Sequence, residues 1–315
     1  MPPVAESTLQ VRADFPILSR RPGGRPLIYL DSAATSQKPQ VVIDALSNHL
    51  SLHNANVHRG VYPLAQEADA AFESARERIA AFTGAPVKST IFTKNVTEAI
   101  NLIAYSWGRA NIGAGDAVLI TQMEHHANIV PWQVLCRERG AELRYLEVDE
   151  RGELPADALR LELARGDVRL VSFAHISNVL GTINPVKEMC AEIRAAGAVS
   201  VIDGAQAVPQ LPVDVGRIGA DFYAWTGHKA LGPMGIGVLH GRSELLDAME
   251  PFLTGGDMIA SVELQSATWN ELPWKFEAGT PAVAEAVALA AACDYLSAIG
   301  MERVREHESS LTGYL

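Results

Sequence analysis

The sequence predicts an α/β fold, a three-layer sandwich with a mainly parallel sheet covered by helices on both faces. Two observations carry this. Short apolar runs rich in Val, Ile, Leu and Phe recur along the 315 residues, and segments of helical period separate them. The composition agrees, because 48% hydrophobic and 20% charged residues suit a chain that buries a substantial core.

The first apolar run, 27–30, reads as a short strand. Residues 40–52 follow with a helical stripe of Val42, Ala45, Leu46 and His49, and 65–82 form a second helix closed by Gly84. Residues 90–93 are a strand, followed by a helix from about 97 to 107. The alternation repeats as strand 117–121, helix 129–139 and strand 143–147. Strand 168–174 and helix 185–196 come next, and strands at 199–202, 222–225 and 235–239 complete the set. An Ala-rich helix covers 282–299.

Charge and cysteine usage narrow the function classes. Against 37 Asp and Glu stand 26 Lys and Arg, a net charge of −11. This balance argues against nucleic acid and anionic membranes as partners, while leaving room for a local phosphate pocket. Cys136, Cys190 and Cys293 form no C-x-x-C pair and no disulfide framework, as expected in a reducing compartment. The first residues lack the basic and apolar regions of a secretory signal, and no run approaches the ~18 apolar residues of a membrane helix. A cytoplasmic location is the expectation.

In parallel sheets the chemistry lies beyond the carboxyl ends of the strands. Lys94–Glu98 opens a helix after strand 90–93, where free N–H groups could hold a phosphate, although Asn95 with Glu98 equally resembles a capping box. His125 and His126 follow strand 117–121; adjacent histidines make a poor metal pair, whereas one imidazole could stack on a planar ligand or move protons. His49 and His53 have metal-compatible spacing but no third ligand, and read as ordinary helix histidines. Asn178 follows strand 168–174, and Asp203 and Gln206 follow strand 199–202. Lys229 follows strand 222–225 in a glycine-rich loop, where an amine can lose its proton and attack a carbonyl. Phosphate donors, an imidazole, an Asp and a Lys, each after a different strand, match the needs of pyridoxal phosphate.

Six segments carry a resemblance: 29–35 (YLDSAAT), 56–60 (NVHRG), 124–132 (EHHANIVPW), 203–206 (DGAQ), 226–229 (TGHK) and 276–281 (FEAGTP). Together they resemble the class V aminotransferase-fold family of pyridoxal phosphate enzymes, and within it the SUF-type cysteine desulfurases, from about residue 14 onward. The resemblance implies the large domain of fold type I at 26–282, an N-terminal segment at 1–25, and a linking helix with the start of a small domain at 283–315. Most of that small C-terminal domain would be missing.

The resemblance also implies roles. Lys229 would bind the cofactor covalently and move the substrate's α proton, Asp203 would hold the ring nitrogen, and His125 would stack on the ring. Gln206 and Asn178 would contact the ring hydroxyl side, with Asn178 also near the substrate carboxylate. Val96, Thr97, Thr226 and His228 would bind the phosphate, and Thr280 would add a contact from the partner subunit of a homodimer. Ala33 and His58 would line the substrate side. The implied reaction converts L-cysteine to L-alanine and a protein-bound persulfide for iron–sulfur cluster assembly. It would need a sulfur-acceptor protein, and could extend to selenocysteine.

The family's nucleophilic cysteine and its carboxylate-binding arginine would lie beyond residue 315. Cys136, Cys190 and Cys293 read as small core residues instead. Two alternatives therefore stand beside the desulfurase. One is another class V enzyme, such as an aminotransferase, epimerase or kynureninase. The other is a cofactor-binding fragment without turnover, whose helix 282–299 would expose apolar surface.

Overall fold

Seven strands build the central sheet: β1 (Thr90–Thr93), β2 (Ala117–Thr121), β3 (Glu142–Leu146), β4 (Val168–Ala174), β5 (Val199–Asp203), β6 (Phe222–Thr226) and β7 (Gly237–Gly241). The computed structural model describes residues 9–314, so residues 1–8 of the expected N-terminal segment, and residue 315, lie outside the described residues. The spatial order is β1-β7-β6-β5-β4-β2-β3. Strands β2 to β6 pair in parallel, and β7 runs antiparallel between β6 and β1.

Alternation along β2 shows how the layers arise. Ala117 and Leu119 join one hydrophobic cluster and Val118 and Ile120 the other, so successive side chains enter opposite faces. The helices are α1 (Gln40–Asn48), α2 (Pro63–Phe82), α3 (Val96–Ile103), the single turn α4 (Arg109–Asn111), α5 (Val130–Arg139), α6 (Ala158–Leu163), α7 (Val186–Ala195), α8 (Val215–Ile218), α9 (Ser243–Ala248), α10 (Val283–Ile299) and α11 (Met301–Tyr314). The first cluster contains Val42 of α1, Phe72 of α2, Ile193 of α7 and Leu289 of α10. The second contains Ile100 of α3 and Trp132 of α5. The expected three-layer α/β sandwich is the observed one.

Several expectations need correction. Residues 27–30 form no strand; Ile28 and Leu30 find no neighbouring strand and remain 80% and 92% exposed. The helices expected at 40–52 and 97–107 both loosen into π-turns, at His49–His53 and Ala104–Gly108. Helix α10 does not expose an apolar face. Ala286, Leu289, Ala290, Cys293 and Leu296 are buried, and α10 packs against α1 and α2, where Ala68 and Ala75 permit close approach. The hairpin β8 (Ile259–Val262) and β9 (Ala267–Trp269) had no sequence expectation, and neither did the short helices α6, α8 and α9. Among the described residues no single helix is long and apolar enough to cross a membrane; α10 and α11 pass that test only as a pair bent by 75°.

Candidate active site

The carboxyl ends of β2, β4, β5 and β6 open into a cavity of about 550 Å³. His125 enters it after β2, Asn178 after β4, Asp203 and Gln206 at the end of β5, and Lys229 with His228 after β6. Val96 and Thr97 at the start of α3, Thr226 at the end of β6 and Ala33 complete the sequence-predicted residues that it gathers. His125 and Lys229, 104 positions apart, meet here because parallel strands place their carboxyl ends on one edge.

Both readings of Lys94–Glu98 hold at once. Asn95 Oδ1 accepts the N–H of Glu98, and the Glu98 carboxylate accepts the N–H of Lys94, a reciprocal cap. The first-turn N–H groups of Val96 and Thr97, which no helical carbonyl can reach, border the cavity and are available to an anion. Thr226 lines the same cavity, and its hydroxyl is buried with no hydrogen-bond partner among the described residues. A buried polar atom in that state is costly unless a ligand satisfies it.

The electrostatics favour amine chemistry. Burial lowers the Lys229 pKa, which makes its neutral nucleophilic form accessible, while Asp203 pulls the other way. Burial pushes the Asp203 carboxyl up, opposed by the N–H of Ala205 at 2.9 Å and the charges of Lys229 and His125. A cationic ring nitrogen placed against it would favour the carboxylate. The turn after Asp203 is tight, because a Cβ on Gly204 would meet the Tyr223 ring at 2.2 Å. Burial, and then the Lys229 charge, lower the His125 pKa. Its Nδ1 accepts the N–H of Ala127, so the neutral ring carries its proton on Nε2.

Behind His125 lies a network that the sequence reading did not anticipate. The buried Glu124 carboxylate accepts from the Thr121 hydroxyl, from Asn128 Nδ2 at 2.6 Å and from the N–H of Ala174 at 3.0 Å. Asn128 Oδ1 in turn accepts from Trp132 Nε1 at 2.9 Å and the Ser172 hydroxyl at 2.5 Å. The Glu-Asn-Trp spacing of four residues was a visible signal, but Ser172 and Ala174 come from β4. Burial pushes the Glu124 carboxyl up to about 7 despite these donors. The folded chain therefore binds more protons at this site than the unfolded chain between roughly pH 4.5 and 7, and Glu124 makes stability fall as pH rises through that window. Glu124→Gln should flatten this fall, which amounts to about 3 kcal/mol by the proton linkage. Urea unfolding of the cofactor-free protein at a series of pH values checks it; an unchanged slope in the variant would remove Glu124 as the titrating group.

A second unanticipated group is the segment before α1. Gln206 Nε2 donates to the carbonyl of Ala33 at 2.8 Å, fixing a cavity wall made of Asp31, Ala33 and Ala34. Lys38 Nζ donates to the carbonyl of His228 at 2.8 Å, a partner 190 residues away that no local pattern could suggest.

Two expected residues lie elsewhere. His58 does not line the cavity; Asp69, Glu73 and Asp257 attract its imidazole at 3.5 to 3.8 Å, and its pKa is raised, first by the Glu73 contact. Thr280 borders a separate hollow of about 200 Å³ with Phe72, Phe92 and Lys94. Cys136, Cys190 and Cys293 are all buried free thiols outside the main cavity. Burial pushes Cys136 and Cys190 up to about 11, and Cys293 higher still, so none is a ready thiolate.

The chain is similar to known proteins over nearly all of its length. The aminotransferase class-V family matches residues 28–315. A probable cysteine desulfurase of Halobacterium salinarum is 52% identical over 306 residues, covering 96% of this chain and 74% of that protein. The apo structure of a cysteine desulfurase from Thermococcus onnurineus superposes with TM-score 0.92 at 37% identity, over 96% of this chain and 74% of that one. A cysteine desulfurase from Escherichia coli superposes with TM-score 0.84 at 40% identity, over 93% and 72%.

Proposed function

Since the chain belongs to the aminotransferase class-V family, we propose that its cavity works as the pyridoxal phosphate site of a cysteine desulfurase, with L-cysteine as substrate. The single observation that carries the cofactor is the donor set of the cavity. The buried, unsatisfied Thr226 hydroxyl shares the cavity with a helix start, an acid and a lysine whose pKa burial lowers. An anionic, planar, cationic-nitrogen aldehyde answers all four. When bound, the cofactor supplies an electron sink for the bond broken next to the substrate nitrogen.

In this reading, Val96, Thr97, Thr226 and His228 hold the phosphate, and Asp203 keeps the ring nitrogen protonated. His125 covers the ring face, with Gln206 and Asn178 on the hydroxyl side. Lys229 Nζ would hold the cofactor covalently and would carry the α proton of cysteine. Ala33 borders the substrate, and His58 reaches it only if a second copy or a local movement brings it there. Thr280, outside its own chain's cavity, is assigned to the site of a partner subunit, which makes the working unit a homodimer. Residues 26–282 form the cofactor-binding domain, with 1–25 before it and 283–315 leading out of it through α10. We place the reaction in the cytoplasm, in SUF-type iron–sulfur assembly, with a separate sulfur-acceptor protein and selenocysteine as a further substrate.

Sulfur leaves cysteine when an acceptor thiolate attacks it: a sulfur–sulfur bond forms, the carbon–sulfur bond breaks, and alanine is completed by a proton. The three buried cysteines cannot supply that thiolate, so the acceptor must be another thiol. The purified 315-residue chain, loaded with cofactor, should form alanine from cysteine at a rate that rises with added small thiol, cysteine itself being the acceptor when none is added. Cys136→Ala, Cys190→Ala and Cys293→Ala combined should leave that rate unchanged. A burst of alanine without added thiol that disappears in the triple variant would overturn the assignment of the cysteines. Absence of alanine under every condition would overturn the desulfurase reading.

A further inference from the structure

From the segment before α1 we infer that Lys38 is a positioning residue for Lys229, its ammonium fastening the turn that carries the catalytic amine to the wall on the substrate side. The observation is a crowded carbonyl. The oxygen of His228, the residue before Lys229, lies within hydrogen-bond distance of four donors. These are the N–H of Ser36 at 3.1 Å, the hydroxyls of Ser36 at 3.0 Å and Thr35 at 3.1 Å, and Lys38 Nζ at 2.8 Å. A carbonyl has two lone pairs, so satisfying this peptide needs no more than two of them.

The charged donor is the shortest and therefore the strongest of the four. Lys38 Nζ also donates to the carbonyl of Ser36 at 2.7 Å, so a single ammonium joins residues 36 and 228. Its neighbours add to the same fastening. Ser36 Oγ accepts the N–H of Leu231 at 3.0 Å, and His228 Nδ1 lies 3.2 Å from Thr35 Oγ1.

The turn needs such support. Leu231 sits at φ 60°, a left-handed conformation that a branched-side-chain residue rarely adopts. Inside the turn, only Gly227 O receives the N–H groups of Ala230 and Gly232. The other end of the segment is fixed by Gln206 through Ala33, so the wall of Asp31, Ala33 and Ala34 is held both at the end of β5 and at the lysine turn. Half-buried Lys38 has its ammonium occupied by these acceptors, and it is placed to hold Lys229 rather than to replace it. The role assigned to Lys229 rests on the proposed function; the fastening itself does not.

The test separates the two. In the cofactor-free chain, Lys38→Met should accelerate amide hydrogen exchange at Ser36, Ala230, Leu231 and Gly232 by about 10-fold or more, with β4 and β5 unchanged. Lys38→Arg, which keeps charge and donors, should restore most of the protection, and Lys187→Met at an exposed position of α7 should change nothing. Ser36→Ala should loosen the same amides, so the fastening stays measurable if Lys38→Met folds poorly. With cofactor added, Lys38→Met should bind it but show a reduced borohydride-trapped fraction on Lys229. Unchanged local exchange in both Lys38→Met and Ser36→Ala overturns the fastening. Faster exchange with an undiminished trapped fraction overturns the positioning role. A wild-type chain that traps no cofactor at any lysine would instead overturn the proposed function and leave the fastening standing.

Discussion

Lys229→Ala should lose the visible absorbance of the covalently bound cofactor, and borohydride should fix no label to the protein. Among the described residues the amine is the only group in the cavity that can condense with an aldehyde, and burial has lowered its pKa toward that task. Cofactor should still be retained without a bond, because the N–H groups of Val96 and Thr97 and the Thr226 hydroxyl do not depend on it. Turnover should fall by about 10⁴-fold or more, since the same amine must also carry the α proton. Two other lysines could mislead the experiment. Lys94 lines the hollow that contains Thr280, and Lys38 spends its ammonium on the carbonyls of Ser36 and His228. Label found on either in the variant would mean that the wrong lysine has been assigned.

Asp203→Asn should fold and bind cofactor, yet exchange of the cysteine α proton with solvent should slow by about 10²- to 10³-fold. The amide keeps the acceptor that Ala205 N–H uses at 2.9 Å, so the tight turn at Gly204 survives. What it loses is charge. A carboxylate stabilises a protonated ring nitrogen by attraction, whereas the amide offers a dipole whose NH₂ end meets another donor. The low-dielectric surroundings magnify the difference, because Asp203 is only 6% exposed. Proton exchange followed by NMR in deuterated buffer reads the effect directly, and a rate near that of the parent chain would remove Asp203 from this role.

The strands were legible because their signal is local. The apolar run 117–121 is the whole of β2, and its period-2 alternation already divides its residues between two faces. The Lys94–Glu98 cap was legible for the same reason, since both its hydrogen bonds close within four residues. Residues 27–30 misled because an apolar run is half of a strand's requirement and the other half is a partner edge. Helix α10 misled in the opposite sense: an apolar face was expected to lie bare without the rest of a small domain, and α1 and α2 already cover it.

By itself the sequence determined the α/β class, the order of the seven sheet strands and the identity of the groups at the strand ends, because periodicity and capping depend on residues a few positions apart. The tertiary structure alone decided how those groups are held. Glu124 reaches Ala174 across 50 residues and Lys38 reaches His228 across 190, while His58 turns away toward three carboxylates. Such pairs form because a buried donor or acceptor must find a partner wherever packing leaves one, and that choice is made by the folded chain's geometry, not by spacing along it.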